Sequence, residues 1–83
     1  MKIFVEVKTP GNSKTYEFQL DSLMTVLQAK VKMIDEITES ESGNITLSPE
    51  KAVLGNLNTQ TILSDSDTLT EAGVKSGQSL LLL

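Results

Sequence analysis

The sequence contains no cysteine, no histidine and no arginine among its 83 residues. Without cysteine there are neither disulfides nor thiolate metal ligands, and redox chemistry says nothing about compartment. Without histidine as well, the usual general bases, nucleophile pairs and zinc ligand sets are missing. The serines have no histidine partner and none lies in a nucleophile-elbow pattern. The 5 glycines are isolated, so no glycine-rich loop is present to cradle a phosphate. The 7 lysines are scattered and the formal net charge is −4. Phosphate backbones need clustered cations and bases are read by bidentate guanidinium groups, so nucleic acid is excluded as a partner. An anionic membrane surface is excluded on the same ground. No apolar run approaches a membrane span, and the opening residues alternate instead of forming a signal peptide's continuous apolar stretch. Cytosol or nucleus is therefore the expected location, and the acceptor-like Asn44-Ile45-Thr46 is read as unmodified.

What is present is a thin but sufficient core. Hydrophobic residues make up 39% of the chain, too many for a disordered tail. The length suits a single domain over residues 1–83, too small to wall an enclosed substrate pocket. Neither an enzyme nor a cofactor is expected. Met1, Ile3, Val5 and Val7 alternate with Lys2, Phe4 and Glu6, the period of a half-buried strand. Pro10-Gly11-Asn12-Ser13 has turn chemistry, with Gly or Asn suited to positive φ. Tyr16, Phe18 and Leu20 then alternate inward, which completes a hairpin. After Asp21 the period changes. Asp21, Ser22 and Thr25 are candidate N-caps for an amphipathic helix. Its apolar face is expected to hold Val26, Leu27, Val31, Met33, Ile34 and Ile37. The polar stretch from Thr38 to Asn44, with Gly43, ends it.

Beyond the helix the pattern is weaker. A strand is expected somewhere in 52–58 and a short one at Ile62 and Leu63. Ser64 to Asp67 reads as a polar turn, and Thr68 to Val74 as one tight turn of helix. A final strand runs from Ser79 to Leu83, where inward Leu80 and Leu82 would turn Leu81 and Leu83 outward. Asp65-Ser66-Asp67 lacks the glycine and distant glutamate of a calcium loop and reads as a capping turn. Lys30 falls within the helix's apolar face, where snorkelling to the rim is the simplest explanation.

This element order, with Met1-Lys2-Ile3-Phe4-Val5 at the start and Thr68-Leu69-Thr70-Glu71-Ala72-Gly73-Val74 before the last strand, resembles the ubiquitin-like domains. The resemblance covers nearly the whole chain, although the stretch from Gly43 to Ile62 is about five residues longer than its counterpart. It implies an α+β fold of the ubiquitin-like β-grasp type, a mixed sheet of four to five strands packed on one main helix. It implies that Lys30 pairs with Asp65, as an alternative to snorkelling. It also implies protein docking through the outer sheet face, carried here by Leu81, Leu83 and, from the third strand, Leu57. Phe4 marks a second contact. Alternatively, Leu83 is a frayed end, or both leucines are covered by a second copy or by sequence outside these residues.

Conjugated members and sulfur carriers end in a flexible Gly-Gly tail, whereas this sequence stops in its last strand. The resemblance therefore implies a non-conjugating interaction domain, a monomer or weak dimer, that binds a ubiquitin-type receptor. One alternative is a modifier or sulfur carrier whose tail lies outside the sequence. Another is a structural subunit of a parent assembly, such as the small ubiquitin-like component of bacterial type VII secretion.

Overall fold

The computed structural model describes residues 1–11, 13–40 and 47–83. Alternation at the start of the chain becomes a hairpin. Strand β1 (Lys2–Thr9) pairs antiparallel with β2 (Lys14–Asp21), in a register from Lys2 opposite Asp21 to Thr9 opposite Lys14. In the turn, Ser13 takes the left-handed φ of 55°, and Asn12 lies outside the described residues. Ile3, Val5, Val7, Phe18 and Leu20 are buried, with Tyr16 partly so. Met1, expected on the same inward face, is instead 83% exposed. It precedes the strand, its carbonyl accepts the Ser22 N–H at 2.8 Å and its terminal ammonium lies 3.5 Å from Asp21 Oδ1.

Helix α1 (Val26–Ser40) starts in a reciprocal cap. Of the three candidates, Thr25 is the cap: its Oγ1 accepts the Gln28 N–H at 3.1 Å, and Gln28 Oε1 accepts the Thr25 N–H at 2.9 Å. Two further free donors of the first turn are satisfied from a distant loop, Val26 N–H by the Asp67 carbonyl and Leu27 N–H by the Asp65 carbonyl, at 2.8 and 3.2 Å. Asp21 caps the preceding turn instead, its Oδ1 accepting the Leu23 N–H at 2.9 Å.

The buried stripe of the helix is Val26, Ala29, Lys30, Met33, Ile34 and Ile37, spaced three and four apart as a single face requires. Leu27 and Val31, expected on that face, are 36% and 40% exposed. Both lie roughly a quarter-turn or more from the stripe's centre. Gly43 and the Asn44-Ile45-Thr46 acceptor lie outside the described residues.

Three short strands complete the sheet: β3 (Leu54–Asn56), β4 (Thr61–Ile62) and β5 (Ser79–Leu82). The order across it is β2-β1-β5-β3-β4, with β5 parallel to β1 and all other pairs antiparallel. Leu54, Leu80 and Leu82 join the strand and helix side chains, together with Leu63, Leu69 and Val74, in one core between the sheet and α1.

The segment before β5 forms a single turn tied at both ends. Thr68 and Glu71 repeat the reciprocal cap, with hydrogen bonds of 2.9 and 3.0 Å. Val74 N–H donates to the Leu69 carbonyl and Gly73 N–H to that of Thr70, while Gly73 takes φ 79°. This is the Schellman pattern, whose left-handed position favours glycine. A bridge between Thr25 and Thr68 brings the two capped turns together.

Candidate docking surface

Because side chains alternate along strands, burying one face of this sheet under α1 leaves the other open. The register places Ile62, Gly55, Leu81 and Lys8 in one row across β4, β3, β5 and β1. One step along, Val53 and Leu83 face each other and exchange two hydrogen bonds of 2.8 and 2.9 Å. Leu83 is thus held in the ladder, 55% exposed, beside Val53 at 38%. Ile62 is 78% exposed, and Leu81 is half-buried between its neighbours. The result is an aliphatic patch built by three strands.

Leu57 stands apart from the centre of this patch. Strand β3 ends at Asn56, and Leu57 begins the next turn with its N–H on the Ser79 carbonyl at 2.9 Å. The strand-three position opposite Leu81 is Gly55, where an added Cβ would meet only the Thr61 carbonyl, at 3.4 Å. The short strand has a local cause. Asn56 is buried, donates to Gln78 Oε1 at 2.9 Å and accepts the Asn58 N–H at 2.9 Å, which turns the chain. Val53 and Ile62, absent from the expected set, were signalled by parity with buried neighbours: Leu54 and Leu63 point in, so the residues before them point out.

Phe4 lies on the same outer face but four residues from Lys8 along β1, and is 62% exposed. Its backbone is anchored to the loop before β5, with its N–H on Ser76 Oγ at 3.0 Å and its carbonyl accepting the Gly77 N–H at 2.7 Å. The aromatic and the aliphatic patch are therefore separate features of one surface.

On the core side, Lys30 Nζ lies 2.7 Å from Asp65 Oδ1 and donates to the Ala52 carbonyl, also at 2.7 Å. The lysine side chain is 3% exposed and the aspartate 43%. The ammonium is thus directed inward to a fixed partner and not to the rim. The pair ties α1 to the loop after β4 and to the approach to β3.

Three surface carboxylates have pKa values below the ordinary range, each held by hydrogen bonds to its charged form. Glu71 is lowered chiefly by the Thr68 N–H, Asp21 by the Leu23 N–H and Glu50 by the Ser48 hydroxyl. All three close turns. Among the described residues no group of acidic side chains is arranged to hold a metal ion, and no helix is long and apolar enough to cross a membrane.

The strand order, the helix across the sheet and the capped turn before the last strand define a ubiquitin-like β-grasp domain. Solved structures agree. The chain is similar to the ubiquitin-like domain of Plasmodium falciparum Dsk2, at 27% identity and a TM-score of 0.75, covering 99% of this chain and 96% of that one. It is similar to the ubiquitin-like domain of an Arabidopsis thaliana protein at 25% identity and 0.72, covering 99% and 76%. The fold is also that of Caldiarchaeum subterraneum ubiquitin, at 19% identity and 0.72, covering 99% and 91%. No protein-family model and no curated protein matches the sequence.

Proposed function

We propose that this chain is a non-catalytic ubiquitin-like interaction domain, working in the cytosol or nucleus, that docks on a protein partner through the outer face of its sheet. Leu81, Leu83, Val53 and Ile62 form the contact, with Leu57 and Phe4 flanking it. The observation that carries the reading is the gathering of exposed aliphatic side chains from three strands on the face opposite the helix. Such contiguous patches mark interaction sites more often than chance exposure does. A ubiquitin-type receptor, such as a helical ubiquitin-binding domain, fits the shape, since an apolar helix face can lie across three short strands.

The test is calorimetric titration of a helical ubiquitin-binding domain into the wild type and into the Leu81→Ser/Leu83→Ser variant. Loss of two central anchors is expected to weaken binding by at least about tenfold while the circular dichroism spectrum stays native. Equal affinities would contradict the assignment.

A further inference from the structure

The outer face carries a second feature that the aliphatic patch does not use. Glu6 and Glu17 are directly opposed across β1 and β2. Glu6 donates its N–H away from β2, to the Gln78 carbonyl at 3.1 Å, so the two face each other in a non-hydrogen-bonded pair. In such pairs the Cα atoms approach to about 4.5 Å and the side chains lie closest. Like charges placed directly opposite one another destabilise a sheet. Neither carboxylate is ion-paired among the described residues. With Phe4 and Gly77 they line a surface concavity of 340 Å³. Gly77, at φ 89°, adds no side chain to its wall.

We infer that this concavity binds an arginine side chain of a basic segment in a partner protein. An opposed pair of carboxylates attracts a cation, and the neighbouring exposed ring of Phe4 favours a flat one. A guanidinium can lie on an aromatic face while its fork of N–H groups reaches carboxylate oxygens on one side. None of these 83 residues is an arginine, so no side chain of this domain itself can fill the concavity in this way. The inference rests on the reading of this face as a docking surface, and it names the chemistry that Phe4 serves.

The experiment is an amide NMR titration with a capped Arg-Gly-Arg peptide and, separately, with its citrulline counterpart, which keeps the shape and loses the charge. The arginine peptide is expected to shift the amides of Phe4, Glu6, Glu17 and Gly77 saturably, and the citrulline peptide to leave them in place. Glu6→Gln/Glu17→Gln should weaken arginine binding by about tenfold, and Phe4→Leu by about threefold. The double glutamine variant should melt no lower than the wild type, because a repulsion has been removed. Leu81→Ser/Leu83→Ser should leave arginine binding intact, so failure at either patch is read separately from failure at the other. Equal shifts from the citrulline peptide, no shifts from either peptide, or full affinity in the double glutamine variant would overturn the inference.

Discussion

Lys30 is the residue on which the interior of this domain turns. Its ammonium is enclosed, and its two oxygen partners come from segments far apart in sequence, Ala52 and Asp65. The two ends of the pair are not equivalent, because water reaches the aspartate and not the lysine. Asp65→Ala leaves a charge buried with a single carbonyl, which should cost about 3 kcal/mol, the low end for an orphaned buried ion. Lys30→Met removes the charge while keeping the stem's volume, and its stability should lie within about 1 kcal/mol of the wild type. Combining the two should recover most of the Asp65→Ala loss. Urea unfolding of the three variants measures this. Additive losses would show that the pair is not what couples the two positions. A lysine inside an apolar stripe was legible from the sequence, but burial and snorkelling give the same pattern along a helix. What separates them is the position of the loop after β4, a long-range fact.

At the scale of elements, regular alternation and the capping residues carried most of the information. The hairpin was readable because β1 alternates along its length and β2 does so from Tyr16 to Leu20. The helix was readable from its periodic run and Thr25. Its exact stripe was not, since Leu27 and Val31 are as apolar as the buried residues and only the sheet's position selects among them. Strand β3 was the least legible element: its three residues include a glycine and a buried asparagine, and pairing with β5 sets its register. The turn at Thr68–Val74 has its own testable consequence. Glu71 is held below its ordinary pKa by the Thr68 N–H, so its folded-state carboxylate is favoured over its unfolded one. That contribution is fully present above the ordinary glutamate range and is lost as pH falls through the lowered folded value. Thermal melts from neutral to acidic pH should therefore show a steeper loss in the wild type than in Glu71→Gln, which keeps a cap acceptor but does not titrate. Parallel curves would show that this cap does not contribute to acid lability.

For the molecule as a whole, one helix closes one face of a five-stranded sheet and leaves the other to solvent. The open face divides into an aliphatic patch over β3, β4 and β5 and an acidic-aromatic concavity over β1 and β2. Phe4 was legible as an outward residue because β1 alternates, whereas Leu81 and Leu83 lie in an unbroken leucine run and follow only once Leu80 and Leu82 are given to the core. Val53 and Ile62 were harder to see, because Val53 precedes a strand of only three residues and Ile62 belongs to one of only two. The central claim is that partners meet this face and not the helix. Amide NMR mapping of the domain saturated with a helical ubiquitin-binding domain tests it most directly. The account predicts shifts concentrated at residues 53–55, 61–62 and 80–83. Shifts confined to the exposed side of α1, around Leu27, Val31 and Asp35, would contradict it.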